Sequence, residues 1–589
     1  MNKIFLVLLF LSFLGNAQTN TYHISFENAV HHEAKVNINF PEVKSNSITI
    51  TMSRTSPGRY ALHEFVKNVY GLKATNSNGE MIKAKRIDPY SWEVSDHDGT
   101  VNIEYILFAN RGDGTYSQID ETHAHLNMPA TFMYAKEFEH RPIEINFETR
   151  KDLDWKVATQ LKQISGTTFF APDLYYFMDS PTEISDFDLK EFDLEGQNIQ
   201  FVLHHKGSEE EFSEYFDQVE RIVRQEKKVF GELPDFDYDK YTFLACYMPN
   251  VSGDGMEHRN STILTDKESL SEGGMKGNIG TVAHEFFHAW NVERLRPAEL
   301  EPFDFSQANM TGSLWFAEGF TSYYTGLMLC RAQINTPREY IDGLNGTFNY
   351  VWNSPALDYF SPVEMSYQAT SVDAATSVDP TNRENTFISY YSYGSVLGLA
   401  LDMALRQQDL NLDDFMKLMW NKYGKKEVAY KLSDIEATLK EYAGERFGSE
   451  FFAKYVYHSN MPDYKNLFES VGIELVQEEG KYTGIPTTET TGGLKINRNT
   501  SKNSPAYEAE LTSGDVITHI DEIPVKTKED FETAVENSNS DVIKVKYIRF
   551  GEERTAEVKT EKDPTYIIRL KENPTREALK RRENWLQAK

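Results

Sequence analysis

The sequence contains little cysteine and, after its first residues, no long apolar run. Only two of 589 residues are cysteines, Cys246 and Cys330, and both lie in apolar contexts. Two cysteines do not make the disulfide framework of a small exported domain, so we predict two buried thiols rather than a disulfide. A transmembrane helix needs about 20 consecutive apolar residues. We therefore expect no transmembrane segment in the mature chain.

Positive charge is also scarce. The chain has 61 Lys and Arg residues against 90 Asp and Glu residues, a formal net charge of -29 at pH 7. Nucleic-acid binding depends on neutralising phosphates, so this balance argues against a nucleic-acid partner. One basic cluster, Lys580-Arg581-Arg582, lies near the C-terminus. We interpret it as a solvated helix face rather than a site for an anionic partner.

The first residues have the pattern of a targeting segment. Met1-Asn2-Lys3 gives a basic start, an apolar run follows from Ile4 to Leu14, and small residues stand around Ala17. This pattern predicts a signal peptide over residues 1–17, cleaved after Ala17. No cysteine follows the run, which excludes a lipid-anchored cysteine at the new N-terminus. We expect an exported protein, periplasmic or secreted.

The residue pattern changes along the chain, which is too long for one hydrophobic core. Alternating segments such as Val36-Asn37-Ile38-Asn39-Phe40 predict an antiparallel β domain in the N-terminal part. The pattern becomes mixed near Gly196, helical beyond about Gly280, and returns to period two after about Gly472. No internal repeat or low-complexity linker interrupts it. These changes predict a multidomain α+β chain.

The most specific motif is His284-Glu285-Phe286-Phe287-His288. Residues i and i+4 share one face of a helix, so both imidazoles can reach one tetrahedral zinc ion. Glu285 would lie beside that metal, where a carboxylate can act as general base toward the attacking water. A pair of hydrogen-bonded core histidines is the alternative. We favour the zinc site of a metallopeptidase.

A catalytic zinc needs a third protein ligand and one open position. The downstream candidates are Glu293, Glu299, Glu301, Asp304 and Glu318. Glu318 stands among large apolar residues in a helical stretch, where a charge needs a partner and a metal is the strongest one. A salt-bridged glutamate is the alternative interpretation.

Several further motifs resemble the glycyl aminopeptidase family of gluzincin metallopeptidases, a relative of the aminopeptidase N group that often carries a PDZ domain. They are His288-Ala289-Trp290-Asn291, Leu295-Arg296-Pro297, Glu318-Gly319-Phe320, Ser56-Pro57-Gly58-Arg59-Tyr60, Asp120-Glu121-Thr122-His123 and Asn573-Pro574-Thr575. The resemblance implies that His284, His288 and Glu318 hold one Zn²⁺ ion. In two respects the sequence departs from the pattern: the spacing from His288 to Glu318 is long, and Glu293 stands where the family is expected to have a basic residue.

Two more site residues follow from a resemblance to aminopeptidase N enzymes. Gly255-Met256-Glu257 is similar to their Gly-x-Met-Glu-Asn strand, which implies that Glu257 binds the α-ammonium group of a substrate. A surface glutamate is the alternative. The segment from Ser389 to Gly394 resembles their Tyr-x-Lys-Gly segment, which implies that Tyr391 donates to the tetrahedral oxyanion. Tyr393 replaces the lysine, and aromatic core packing is the alternative role for Tyr391.

The C-terminal part resembles a PDZ domain in Gly493-Leu494-Lys495-Ile496, in Asn503-Ser504-Pro505-Ala506 and in the segment from Leu511 to Ile520. Such a domain adds a peptide as a strand and holds its C-terminal carboxylate, so a peptide C-terminus is an expected partner. The preceding loop, residues 487–492, is polar where PDZ carboxylate loops are usually hydrophobic. Bracing the catalytic domain or presenting substrate is the alternative role.

These expectations predict an exported zinc aminopeptidase acting on peptides with a free N-terminus. Its preference for small residues such as Gly or Ala comes only from the resemblance. The alternatives are a zinc endopeptidase with PDZ-recruited protein substrates and a non-catalytic PDZ binding protein. The predicted parts are a signal peptide (1–17), an N-terminal β domain (18–195), a thermolysin-like zinc catalytic domain (196–335), a helical domain (336–471), a PDZ-like domain (472–570) and a C-terminal helix (571–589).

Overall fold

A computed structural model describes residues 18–373 and 380–589 of the chain. The predicted signal peptide and its cleavage after Ala17 lie outside the described residues. The chain forms two compact units. The first contains the described residues up to Pro57, Glu64–Asp188 and Val202–His204, and the second contains Gly58–His63, Leu189–Phe201 and His205–Lys589.

The first unit is built mainly from β-strands. In chain order they are β1 (Asn20–Asn28), β2 (Glu33–Phe40), β3 (Ser47–Met52), β4 (Val69–Thr75), β5 (Lys83–Arg86), β6 (Ser91–Ser95), β7 (Val101–Phe108), β8 (Gln118–Ile119), β9 (His123–Leu126), β10 (Met133–Tyr134), β11 (Ile143–Glu148), β12 (Lys156–Thr159), β13 (Lys162–Ser165), β14 (Thr168–Ala171) and β15 (Thr182–Ser185). Two short helices accompany them, α1 (Met128–Thr131) and α2 (Leu174–Met178).

These strands form three sheets. A seven-stranded sheet has the order β13-β14-β11-β1-β2-β7-β4, and two four-stranded sheets have the orders β10-β3-β6-β5 and β12-β15-β9-β8. In β2, alternate residues from Ala34 to Phe40 are buried, so one face of the strand joins the core as its sequence pattern predicts. The prediction of a wholly antiparallel domain needs one correction, because β1 pairs with β11 in parallel.

The zinc-site motifs lie in the next group of elements, which belongs to the second unit except for Asp188 and Val202–His204. The strands are β16 (Asp188–Leu194), β17 (Gln197–His205), β18 (Lys240–Tyr247), β19 (Asp254–His258) and β20 (Ser261–Asp266), and the helices are α3 (Glu209–Phe230), α4 (Gly274–Phe287) and α5 (Leu314–Arg331). The sheet order is β16-β17-β18-β20-β19. Helix α4 packs against α3, α5 and β19, which places the motif of residues 284–288 at the centre of this group.

A helical region follows. Its helices are α6 (Pro337–Trp352), α7 (Pro362–Tyr367), α8 (Arg383–Thr386), α9 (Tyr390–Arg406), α10 (Leu412–Lys422), α11 (Leu432–Ala443), α12 (Glu445–Phe451) and α13 (Tyr464–Glu469). Helices α5 and α9 cross in close contact at Gly319 and Gly394. A Cβ atom on Gly394 would lie 2.0 Å from the carbonyl oxygen of Trp315, so only glycine permits this approach. The crossing brings Glu318 and Tyr391 to one region.

The C-terminal part contains β21 (Ile473–Gln477), β22 (Lys481–Tyr482), β23 (Thr487–Thr490), β24 (Gly493–Ile496), α14 (Pro505–Glu508), β25 (Val516–Ile520), β26 (Ile523–Pro524), α15 (Lys528–Asn537), β27 (Val542–Arg549), β28 (Glu552–Lys559), β29 (Glu561–Lys562), β30 (Tyr566–Leu570) and α16 (Arg576–Leu586). Its main sheet has the order β23-β24-β25-β27-β28, with β26 beside β25. The polar segment 487–492, predicted as a loop, instead contains β23, which pairs with β24. Its threonines favour an extended backbone, and pairing with β24 completes the strand.

Helix α16 packs back onto the rest of the second unit. Trp585 is fully buried, and its Nε1–H donates a hydrogen bond of 2.9 Å to the hydroxyl of Tyr323. In the basic cluster, Lys580 is exposed, whereas Arg581 donates to Glu577 and Arg582 donates to the carbonyl of Gly472. Two of the three basic side chains in this cluster therefore form contacts within the chain.

The predicted fold class, a multidomain α+β chain with a PDZ-like C-terminal part, is confirmed. The exact domain boundaries stay predictions. Both cysteines are buried and form no disulfide, as predicted. Within residues 18–373 and 380–589, no helix is long and apolar enough to cross a membrane.

Candidate metal centre

Two histidines and one glutamate converge at the end of α4. His284 lies in the last turn of the helix, and His288 follows directly after it with helical backbone angles. Helix α5 holds Glu318, whose Oε2 lies 3.2 Å from His288 Nε2 and 3.6 Å from His284 Nε2. The three ligand atoms lie within 4.8 Å of one another, so one ion can contact all of them. Two imidazoles and a carboxylate are a known ligand set of catalytic zinc.

Among the five candidate carboxylates, Glu318 is the one that the structure places against both imidazoles. It is buried on an apolar helix, as its sequence context predicts. The other four have partners elsewhere: Glu293 and Glu301 lie near Arg296, Glu299 accepts from Thr311, and Asp304 accepts from Ser306. The geometry therefore selects the same three residues that the resemblance implies.

A second layer of hydrogen bonds orients these three side chains. His288 Nδ1–H donates to the carbonyl of Asn291. The Thr325 hydroxyl donates to the carbonyl of Thr321, so its oxygen accepts from His284 Nδ1–H at 3.2 Å. Each ring therefore engages Nδ1 in a hydrogen bond and turns Nε2 toward Glu318, which makes Nε2 the nitrogen that a metal ion would take.

Glu318 is oriented in the same way. The hydroxyl of Tyr60 donates to its Oε1 at 2.6 Å, which leaves Oε2 toward the two histidines. Sequence analysis gave no role to Tyr60, Asn291 or Thr325. Asn291 acts through a backbone carbonyl, which every residue type has, so no sequence signal exists for it. Tyr60 stands 258 positions before Glu318, and only its place in a motif of the resembling family could have marked it.

The two other predicted carboxylates also reach this centre. Ligand atoms of Glu257, Glu285 and His288 lie within 4.8 Å of one another. Both glutamates are buried, and within the described part of the chain Glu257 Oε1 and Glu285 Oε2 have no hydrogen-bond partner. Strand β19 runs close to α4, since a Cβ atom on Gly255 would lie 2.3 Å from Glu285 Oε1.

The centre contains more acidic than basic side chains. Burial raises the pKa of Glu285 well above its usual value, and the neighbouring Glu257 and Glu318 add to the rise against the effect of His288. Burial also raises the pKa of Glu257. Burial opposes the charged form of His288, yet Glu318 and Glu257 raise its pKa to about 10. Three buried carboxyl groups around one imidazole form a site that fits a divalent cation.

Tyr391 lies in the first turn of α9, beside the same centre. Its ring centroid lies 5.9 Å from that of His284. Burial and the negative charge of Glu318 raise the pKa of Tyr391 well above its usual value, so its phenol stays protonated and can donate. Tyr393, which stands at the lysine position of the resembling segment, is buried, and its hydroxyl has no hydrogen-bond partner among the described residues.

A narrow cavity adjoins Glu257. Its volume is ≈ 10 Å³, and its lining includes Gly58, Arg59, Tyr60, Arg296 and Phe303. Gly58 packs closely against the strand that carries Glu257. A Cβ atom on Gly58 would lie 3.0 Å from Glu257 Oε2 and 2.2 Å from Met256 Sδ. The space beside this carboxylate is therefore small.

Comparison with known protein families decides the class of the chain. Residues 277–397, which include His284, Glu285, His288, Glu318 and Tyr391, match the family model of the M61 glycyl aminopeptidase. The chain is a zinc metallopeptidase. Residues 21–186 of the metallopeptidase match the Peptidase M61 N-terminal domain, and residues 471–560 match a PDZ domain. The predicted resemblance to the glycyl aminopeptidase family is thereby confirmed, together with its PDZ domain, and supports a metallo-aminopeptidase.

A solved structure of low sequence identity shares the fold. The metallopeptidase is 23% identical to an aminopeptidase N family protein from Idiomarina loihiensis, with a TM-score of 0.86 over 97% of this chain and 100% of that chain. An M1 zinc metallopeptidase variant from Deinococcus radiodurans, bound to a Tyr-Ser-Ala substrate, is 12% identical over 76% of this chain and 95% of that chain, with a TM-score of 0.43. No curated protein matches the chain.

Proposed function

We propose that the metallopeptidase is an exported zinc aminopeptidase that releases a small N-terminal residue, such as Gly or Ala, from peptides. One observation carries the proposal: Glu257 lies buried beside His288, and its Oε1 has no hydrogen-bond partner in the described part of the chain. A free α-ammonium group would supply that partner by a charge-assisted hydrogen bond. An N-blocked peptide would leave the carboxylate unpaired, at the cost of its desolvation.

In this proposal, His284, His288 and Glu318 hold one Zn²⁺ ion, which when bound polarises the scissile carbonyl and lowers the pKa of water. Glu285 takes a proton from the attacking water and passes it to the leaving amine. The phenol of Tyr391 donates a hydrogen bond to the oxyanion that develops on the substrate. Tyr60 keeps one oxygen of Glu318 directed away from the ion.

The size of the cavity supports the preference for a small first residue. The cavity next to Glu257 is narrow, and Gly58 packs closely against Glu257 and Met256 on one side of it. Burying a large side chain would require Gly58 or its neighbours to move, and densely packed surroundings resist such movement. Gly and Ala have the smallest side chains and therefore need the least space.

Two further parts of the proposal rest on the sequence. Residues 1–17 have the pattern of a signal peptide, which supports a periplasmic or secreted enzyme. The PDZ domain fits a peptide C-terminus as a second partner. It would recruit or present peptide substrates to the catalytic residues.

Hydrolysis of one peptide with a free or an acetylated N-terminus tests the proposal against a zinc endopeptidase. We expect the free form to be cleaved about 10- to 100-fold faster, the value of a charge-assisted hydrogen bond. Glu257→Gln should abolish most of this difference, whereas Glu268→Gln, an exposed matched control, should preserve it. Equal or faster cleavage of the acetylated peptide by the unmodified enzyme would favour the endopeptidase.

A further inference from the structure

A second cluster of buried metal-ligating side chains lies in the first unit. His123 and His125 alternate along β9 and point to one side of the sheet, and Glu183 stands opposite His125 on the neighbouring β15. His204 comes from the part of β17 that belongs to the same unit. None of these four side chains is more than 4% exposed.

Three imidazole nitrogens converge on the Glu183 carboxylate. His123 Nδ1 lies 3.3 Å and His204 Nδ1 lies 3.7 Å from Glu183 Oε1. His125 Nδ1 lies 3.1 Å from the other oxygen, Oε2. The ligand atoms of His123, Glu183 and His204 all lie within 4.8 Å of one another.

His125 holds the second oxygen of Glu183. Its Nδ1 lies 3.1 Å from Glu183 Oε2, and its Nε2 lies 3.0 Å from the carbonyl oxygen of Asp113. Both ring nitrogens of His125 are therefore engaged, and Glu183 Oε1 is left to His123 and His204.

His123 and His204 both face Oε1 of Glu183 through Nδ1. The other nitrogen of His123, Nε2, lies 3.1 Å from the amide oxygen of Gln118, which accepts a hydrogen bond from it. This contact fixes the orientation of the His123 ring. Two imidazole nitrogens and a carboxylate oxygen therefore face one another across a small gap.

The spacing identifies what fits that gap. A charge-assisted N–H···O hydrogen bond is about 2.7–2.9 Å long, shorter than both distances to Oε1. Two ligands of one tetrahedral zinc at about 2.0–2.1 Å are about 3.3 Å apart. The nitrogen-to-oxygen distances of 3.3 and 3.7 Å nearly repeat those of 3.2 and 3.6 Å at the candidate catalytic centre.

We propose that His123, His204 and Glu183 bind a second zinc ion in the first unit through three protein ligands, with His125 holding the second oxygen of Glu183. The ion would tie β9, β15 and residues 202–204 together in a chain whose two cysteines form no disulfide. Imidazole and carboxylate ligands suit zinc. Because such a site does not exist in the unfolded chain, its binding free energy stabilises the fold.

The rival occupant of the gap is a proton, because Glu183 raises the pKa of His123 against the effect of burial. Zinc content of the full-length His284→Ala/His288→Ala variant separates the two, since this variant lacks both catalytic histidines. After equilibration with zinc and removal of the excess, we expect one zinc per chain in this variant and two in the unmodified protein. An anomalous difference map at the zinc edge should place the remaining ion between His123, His204 and Glu183.

No zinc in the double variant, or a zinc bound anywhere else, would overturn the proposal. Adding Glu183→Gln to the double variant should reduce its zinc content to none. If that triple variant does not fold, the anomalous map of the double variant still shows whether zinc lies between His123, His204 and Glu183. Chelation should also lower the unfolding temperature of the double variant, and an unchanged temperature after loss of zinc would contradict a structural role.

Discussion

The hydroxyl of Tyr60 donates a 2.6 Å hydrogen bond to Oε1 of Glu318, the carboxylate whose other oxygen faces both histidines. Burial and the neighbouring carboxylates Glu318 and Glu257 raise the pKa of Tyr60 well above its usual value, so the phenol keeps its proton. This single contact fixes which oxygen of Glu318 is available to a metal. Tyr60 therefore acts as a positioning residue.

Replacing Tyr60 tests that role directly. We expect Tyr60→Phe to weaken zinc affinity by about 10- to 100-fold, the usual effect of losing an outer partner of a metal ligand. Competition with a zinc-binding dye measures the affinity. Tyr340→Phe is the matched control, because the hydroxyl of Tyr340 is buried without a hydrogen-bond partner among the described residues. An equal loss in both variants would mean that Tyr60 contributes only packing.

Glu285→Gln separates metal binding from proton transfer. We expect kcat/KM for Gly p-nitroanilide to fall by about 10²- to 10⁴-fold, because the amide cannot take a proton from water. Zinc content should remain at the level of the unmodified enzyme, since the three ligands are intact. Unchanged hydrolysis by pure Glu285→Gln would remove this glutamate from the mechanism and revive a non-catalytic scaffold.

Tyr391→Phe tests the donor to the oxyanion. Loss of such a donor costs about 10²- to 10³-fold in kcat, so we expect kcat to fall while KM and zinc affinity change little. Steady-state kinetics with Ala p-nitroanilide measure the two constants. Tyr390→Phe, on the adjacent residue, should retain most of the activity. An unchanged kcat in Tyr391→Phe would leave aromatic packing as its role.

Glu226 makes stability depend on pH. Neither carboxyl oxygen has a hydrogen-bond partner in the described part of the chain, and burial raises its pKa well above its usual value against the effect of His288. The folded chain keeps a proton that the unfolded chain releases above about pH 4.3, so stability falls as pH rises, by up to about 1.4 kcal/mol per pH unit. The loss continues until the pH passes the raised pKa of the folded state.

The variant Glu226→Gln removes this titration. Its free energy of unfolding should exceed that of the unmodified protein by a margin that grows from about pH 5 to about pH 8. Urea unfolding at several pH values measures the margin. Glu214→Gln, an exposed position on the same helix, should show no such trend. A margin that stays constant or shrinks with rising pH would contradict the assignment.

Local patterns in the sequence predict most of the candidate site residues. The spacing of His284 and His288 predicts a shared helix face, and the apolar surroundings of Glu318 predict a charge with a special partner. Glu257 and Tyr391 were found through motifs of related enzymes, and the structure brings both near His288 or His284. These assignments needed no knowledge of tertiary contacts.

Other features depend on contacts that a single sequence does not encode locally. Tyr60 contacts Glu318, which lies 258 positions later in the sequence. His123 contacts Glu183, which lies 60 positions later. The parallel pairing of β1 with β11 and the strand β23 arise from neighbours in space, because their own residues do not specify a partner. The motif that contains His123 was visible in the sequence, but its buried partners were not.

The most direct test of the central claim is metal analysis combined with hydrolysis of a panel of aminoacyl p-nitroanilides, before chelation, after it, and after zinc is restored. The account predicts that Gly and Ala substrates are cleaved fastest, that activity disappears with the metal and returns with zinc, and that His284→Ala stays inactive throughout. Undiminished hydrolysis by enzyme from which all measurable metal has been removed would contradict it.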